Sequence, residues 1–122
     1  MEALFAILFL IWIFFCHTIA DFILQTRWMA ENKSSSLKAL TVHIIEYTTV
    51  MFVGLILPFG LANAALYAVI NGVLHFFTDF ITSRLSSYAY KNEKMKLFWG
   101  IIGFDQFIHI SCMLLTLLFF SF

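Results

Sequence analysis

Charged side chains are scarce in this 122-residue chain, where seven basic and seven acidic residues make up only 11% of the sequence. Apolar residues account for 62%, and the mean hydropathy of +0.95 lies well above that of an ordinary water-soluble domain. The formal net charge is zero, so overall charge gives no reason to expect nucleic acid as a partner. We therefore predict one all-α domain, residues 1–122, that lies in a membrane.

Cysteine and proline are scarce as well. Cys16 and Cys112 stand in separate apolar runs, which favours small packing residues over a disulfide. The single proline, Pro58, is followed by Gly60, and this pair predicts a tight turn between two helices. No basic segment precedes the first apolar run and no small-residue cleavage site follows it, which favours a membrane helix there over a signal peptide.

Four apolar runs are long enough, or nearly so, to cross a bilayer core, which takes about 20 residues. We predict a bundle of four transmembrane helices at about residues 4–26, 37–57, 62–84 and 97–121. His17-x-x-x-Asp21 in the first helix matches His75-x-x-x-Asp79 in the third, and these two helices run in the same direction. Two pseudo-symmetric two-helix repeats are therefore a further prediction.

The basic residues are confined to two connections on the same side of this predicted bundle, together with the helix ends beside them. They are Arg27, Lys33, Lys38, Arg84, Lys91, Lys94 and Lys96. The positive-inside rule places both connections in the cytoplasm and both termini outside.

All four histidines lie in apolar helical stretches, each with a carboxylate three or four residues away. The pairs are His17 with Asp21, His43 with Glu46, His75 with Asp79, and Asp105 with His109. This spacing puts both groups of a pair on one helix face, and lipid cannot satisfy them, so the polar faces must turn inward. By helical rise, all eight groups fall roughly 7–20 Å inside the membrane from the cytoplasmic side. We therefore predict a single buried site.

Imidazole and carboxylate together are the ligands that borderline divalent metals favour, and a cation compensates the charge of several buried carboxylates. We predict one or two ions, zinc or manganese, with Asp105 or Glu46 as general base. The predicted ligands are His17, Asp21, His43, His75, Asp79 and His109. The competing interpretation is a structural network in which His–Asp pairs hold the helices together by charge-assisted hydrogen bonds.

Five short motifs resemble a family of small bacterial membrane proteins, the domain of unknown function 3307. They are His17-x-x-x-Asp21-Phe22-x-Leu24-Gln25, Met29-Ala30-x-x-Lys33, His43, His75-x-x-x-Asp79 and Phe104-Asp105-Gln106-x-x-His109. The resemblance spans nearly the whole chain and implies a bacterial origin. A looser similarity links the site to membrane-bound metal-dependent hydrolases, including lipid amidases, although their Ser-x-x-x-His element is absent here.

Three functions are consistent with such a site. The first is a metal-dependent hydrolase whose lipid-like substrate enters from the inner leaflet. The second is a divalent-cation or proton-coupled transporter or its accessory subunit, and the third is a structural or sensing protein. The outer half of helix one, residues 3–15, has no polar side chain except the indole of Trp12, which favours a one-sided pocket over a transport path.

The expected location is the cytoplasmic (inner) membrane of a bacterium, with membrane lipids as neighbours. Four short helices leave a small core, so a homo-oligomer is a further expectation.

Overall fold

The computed structural model describes residues 1–120, and this part of the chain is helical with short connections. The helices are α1 (Glu2–Thr18), which continues as a π-helical segment (Ile19–Leu24), then α2 (Arg27–Asn32), α3 (Leu37–Phe59), α4 (Leu61–Lys91) and α5 (Met95–Leu117). Among the described residues, four stretches are long and apolar enough to span a membrane: Glu2–Leu24, α3, α4 and α5. The prediction of an all-α membrane protein with four spanning helices is confirmed.

The turn between α3 and α4 forms where the sequence predicts it. α3 ends at Phe59, just after Pro58, and the Gly60 N–H donates to the Ile56 carbonyl at 2.8 Å. Gly60 has φ +75°, in the left-handed region that favours glycine. Because this turn is so short, α3 and α4 pack as an antiparallel hairpin.

The third spanning helix, α4, is longer than predicted. The pattern placed its end near residue 84, but α4 runs 31 residues to Lys91. No glycine or proline interrupts residues 84–91, and the small side chains of Ser86 and Ala89 are buried there. At 1.5 Å per residue α4 is about 46 Å long, so part of it projects beyond a hydrocarbon core of about 30 Å.

The first and the last spanning helices differ from the prediction at their C-terminal ends. The first was predicted to continue to residue 26, but its helix ends at Leu24, and Thr26 caps the short α2 by accepting from the Met29 N–H at 3.3 Å. α5 ends at Leu117, and the predicted end at residue 121 lies outside the described residues.

An apolar core fills the end of the bundle nearest the α3–α4 turn. Its members are Ile13, Cys16, Ala20, Tyr47, Met51, Leu55, Phe59, Ala64, Tyr67, Ala68 and Met113. The Tyr67 hydroxyl donates to the Met113 carbonyl at 2.9 Å, which ties α4 to α5 within this core. Both cysteines are free, and Cys16 packs against Gly54 as an apolar residue.

Gly72 on α4 allows α3 to approach closely. A Cβ at this position would collide with the hydroxyl of Thr48 on α3. The absence of a side chain at Gly72 therefore lets the two helices pack closely.

We expect Gly72→Ala to destabilise the bundle by about 1–3 kcal/mol, because Thr48 is β-branched and has little freedom to rotate away from an added methyl. The matched control is Gly103→Ala on α5, where an added Cβ meets nothing within 4 Å. The control should be neutral or stabilising by up to about 1 kcal/mol. Unfolding midpoints in detergent compare the two variants, and equal midpoints would contradict the close contact.

Candidate metal centre

Four buried side chains bring their donor atoms within 4.8 Å of one another at the end of the core away from the α3–α4 turn. We call them the four-donor cluster: Asp21 from the π-helical segment, His43 from α3, and His75 and Asp79 from α4. None is more than 4% exposed. The prediction of one shared, buried site is confirmed for these residues.

The spacing inside the four-donor cluster is that of a coordination shell. His43 Nε2 lies 3.1 Å from Asp21 Oδ1 and 3.3 Å from His75 Nε2, and His75 Nε2 lies 3.3 Å from Asp21 Oδ1. Asp79 completes the set, with Oδ2 3.5 Å from His43 Nε2 and Oδ1 3.5 Å from His75 Nε2. Donors around a tetrahedral metal with bonds near 2.0 Å are separated by about 3.3 Å. Five of the six residue pairs thus have contacts close to this separation, and Asp79 uses both of its oxygens to make them.

The π-helical segment is what presents Asp21 to this cluster. Segments of this kind are rare and often occur at functional sites, because the wider turn changes which way a side chain points. Here the Asp21 carboxylate contacts α3 and α4 through His43 and His75. Gln25, the last residue of the first motif, donates from Nε2 to the Asp21 carbonyl at 3.1 Å and so caps its own segment.

Lys33, from the connection between α2 and α3, reaches into the site. Its Nζ donates to Asp79 Oδ2 at 2.7 Å, and the lysine side chain is only 17% exposed. Burial lowers the pKa of Lys33, but the carboxylates of Asp79 and Asp21 outweigh this effect, so the net pKa is raised. Lys33 is therefore a resident cation of the site.

A second group of donors adjoins the first on its α5 side. Asp21, Asp105 and His109 bring ligand atoms within 4.8 Å of one another. His109 Nε2 lies 3.2 Å from Asp105 Oδ2 and 3.1 Å from Asp79 Oδ1. An amide stands beside this group: Gln106 Nε2 donates to Asp21 Oδ2 at 2.7 Å and to Asp105 Oδ2 at 3.1 Å. The amide thus hydrogen-bonds both carboxylates without changing the net charge of the site.

Thr82 supports the same carboxylate from α4. Its hydroxyl donates to Asp105 Oδ1 at 2.5 Å. Asp105 is 8% exposed, more than Asp21 or Asp79, so it lies at the edge of the site.

His17 is buried but stands outside the four-donor cluster. Its Nε2 lies 3.0 Å from Gln106 Oε1 and 3.9 Å from Asp21 Oδ2. Because the amide oxygen accepts from this nitrogen, His17 orients Gln106 in this arrangement. His17 and Gln106 together join α1 to α5.

Glu46 does not form the pair predicted with His43, which contacts Asp21 and Asp79 instead. Both Glu46 carboxylate oxygens are buried without a hydrogen-bond partner in the described structure, and so is the Nδ1 of His43. The spacing of three residues between His43 and Glu46 did not predict the partners of His43, because its stronger partners come from other helices.

Ring packing fixes the orientation of the central imidazole. The rings of His75 and His109 stack at 3.8 Å with an interplanar angle of 7°, and Tyr47 packs on His75 at 4.1 Å. The Nδ1 atoms of His17, His43 and His75 have no hydrogen-bond partner among the described residues. Packing against aromatic neighbours, more than hydrogen bonding at Nδ1, therefore holds these rings with Nε2 toward the carboxylates.

The site carries more negative than positive charge when its imidazoles are neutral. Asp21, Asp79 and Asp105 carry three negative charges and Lys33 carries one positive charge. Two negative charges then remain in a buried environment, where uncompensated charge is costly. Either one divalent ion or two protonated imidazoles would balance them.

Sequence reasoning missed three residues of the site. Lys33 was assigned only to membrane orientation, and Thr82 was not singled out. Gln106 was named only as part of a family motif, and its contacts with Asp21 and His17 join α5 to the first span. The motif Met29-Ala30-x-x-Lys33 was the one signal that pointed to the lysine.

Comparison with known proteins identifies the family of this chain. A family model described as a protein of unknown function (DUF3307) matches residues 8–122, which include every residue of both donor groups. This confirms the resemblance seen in the motifs. Neither the curated proteins nor the solved structures include a significant match.

Proposed function

We propose that this chain, which belongs to the DUF3307 family of proteins of unknown function, binds one divalent transition metal inside the membrane. The ligands are Asp21, His43, His75 and Asp79, and zinc or manganese suits this mixture of imidazole and carboxylate. The observation that carries the proposal is the convergence of four buried donors within 4.8 Å, with contacts of 3.1–3.5 Å between the histidines and between each histidine and each aspartate.

The chemistry that we propose is hydrolysis of an amide or phosphoester in a lipid-like substrate. A bound divalent ion supplies Lewis acidity to a water or to the oxygen under attack. Asp105 accepts the proton that the attacking water loses and returns it to the leaving amine or alcohol. Its place at the edge of the site, held by Thr82 and Gln106, supports this role.

A transport function has less support. Between the four-donor cluster and the α3–α4 turn, the described core consists mainly of apolar side chains such as Met51, Leu55 and Met113. An ion moving along the bundle would find few ligands there. By the positive-inside rule, the cluster faces the cytoplasm and both termini lie outside.

Elemental analysis of detergent-purified protein tests the proposal. We expect about one equivalent of metal in the wild type and a small fraction of that in His43→Ala, because a four-ligand site loses one neutral donor. The matched control is His17→Ala, which removes an equally buried imidazole that is not among the four ligands. It should retain its metal.

Size exclusion and circular dichroism on the same samples separate loss of metal from loss of fold. Wild-type protein that is metal-free after purification and after incubation with zinc or manganese would overturn the proposal. If both histidine variants fold and lose metal equally, His43 matters no more for metal binding than His17, and its assignment as one of four specific ligands is wrong.

A further inference from the structure

An apolar groove runs between α4 and α5 on the outer face of the bundle. It encloses about 600 Å³. Its walls include Phe77, Ile81 and Leu85 from α4 and Ile101, Phe104 and Ile108 from α5. Apart from Thr78 and Thr82 it offers no polar side chain, so its interior suits a hydrocarbon chain.

A second cavity continues the groove at the start of α5. It is a shallow depression, largely open to the surroundings, with a volume of about 780 Å³, and its walls share Leu97 and Gly100 with the groove. Gly100 has no side chain, and an added Cβ there would meet nothing within 4 Å, so no side chain separates the two spaces at this position. Together the two spaces extend from the start of α5 into the apolar groove between α4 and α5.

The wall of the second cavity is basic. Lys94 and Lys96 line it together with one acidic residue, Glu93. Neither lysine has a carboxylate within ion-pair distance in the described structure, and Lys94 Nζ lies 5.2 Å from the centre of the Tyr88 ring. A net positive charge is thus available at the mouth of an apolar groove.

We propose that this combined site binds an anionic phospholipid, with its phosphate at Lys94 and Lys96 and an acyl chain in the α4–α5 groove. The two halves of the ligand match the two halves of the site. The negative phosphate is attracted to the two lysines, and the acyl chain packs against the apolar walls of the groove. Basic residues at a membrane surface each contribute attraction to anionic lipid but little to zwitterionic lipid. The site is separate from the four-donor cluster and needs no metal.

One contact links the lipid site to the buried centre. Thr82 lines the groove, and its hydroxyl donates to Asp105 Oδ1. An acyl chain in the groove would therefore lie against the threonine whose hydroxyl binds Asp105.

Native mass spectrometry of delipidated protein tests the site, with phosphatidylglycerol and phosphatidylcholine of identical acyl chains as probes. We expect one retained phosphatidylglycerol and about tenfold weaker retention of phosphatidylcholine. The variant Lys94→Gln/Lys96→Gln should lose this preference. The matched control Lys38→Gln/Lys91→Gln removes two exposed lysines that do not line the groove, and it should keep the preference.

A second pair of variants tests the acyl chain. Gly100→Leu fills the passage between the two cavities without changing charge, so retention of both lipids should fall. Gly103→Leu makes the same change on the same helix outside the groove and should have no effect. Asp79→Asn should retain lipid as the wild type does, so failure of the metal proposal leaves this one standing. Equal retention of the two lipids by wild-type protein, or equal loss in both lysine pairs, would overturn it.

Discussion

Replacing Asp79 with asparagine is expected to remove most of the metal from a protein that still folds. The change keeps the size of the side chain but exchanges an anionic ligand for a neutral amide. Loss of an outer-shell partner costs about 10–100-fold in metal affinity, and we expect the loss of a direct ligand to cost more. Metal content and melting temperature, measured on the same preparations, give both readouts.

The control for this experiment is Glu46→Gln, the same carboxylate-to-amide change at a residue outside the four-donor cluster. It should retain its metal. In a structural network without metal, both variants and the wild type would be metal-free, and Asp79→Asn would only lower stability. Intramembrane hydrogen bonds contribute about 0.6 kcal/mol on average, but Asp79→Asn also leaves Lys33 without its closest partner. A lower melting temperature without any change in metal content would therefore contradict the metal site.

Replacing Lys33 with methionine is expected to strengthen metal binding and to weaken the metal-free protein. The ammonium of Lys33 competes with a metal ion for Asp79, so its removal should raise metal affinity by about tenfold or more. Without metal, Asp79 would keep only its imidazole neighbours as partners, so the metal-free protein should lose stability by up to about 3–5 kcal/mol. Because the pKa of Lys33 is raised, the stabilisation that its ion pair with Asp79 gives the metal-free protein is present at neutral pH. It is lost only as the pH rises through the raised pKa of Lys33.

Lys38→Met is the matched control, because Lys38 is an exposed lysine close by in sequence. It should change neither property. Isothermal titration with zinc and thermal unfolding with and without metal measure the two effects. Weaker zinc binding in Lys33→Met would mean that Lys33 supports the metal-bound carboxylate instead of competing for it.

The sequence was sufficient for the features that repeat along the chain. Apolar runs gave the four spans, the Pro58–Gly60 pair gave the turn, and the histidines beside carboxylates gave the buried cluster. These signals are local, because a helix repeats every 3.6 residues and lipid tolerates no isolated charge. The ends of the helices were less predictable. No residue between 84 and 91 terminates α4, so hydropathy alone predicted an end that is too early.

The sequence was insufficient where a contact depends on the chain folding back. Lys33 lies in a polar connection, and its burial against Asp79 follows from the position of α2, which has no hydrophobic period. His43 was paired with Glu46 because they are close on one helix, yet Asp21 and Asp79 come from elsewhere. Helical spacing gives the face on which a group lies, whereas its partner depends on the packing of other helices.

The π-helical segment means that the site depends on the number of residues in the first span as well as on their identity. A helix rotates about 100° per residue, so deleting one residue between His17 and Asp21 turns Asp21 away from His43 and His75 if an ordinary α-helix re-forms. Such a deletion leaves hydropathy, charge and every donor residue in place. Two chains of this kind with the same histidines and aspartates are therefore equivalent only if the spacing between residues 17 and 21 is the same.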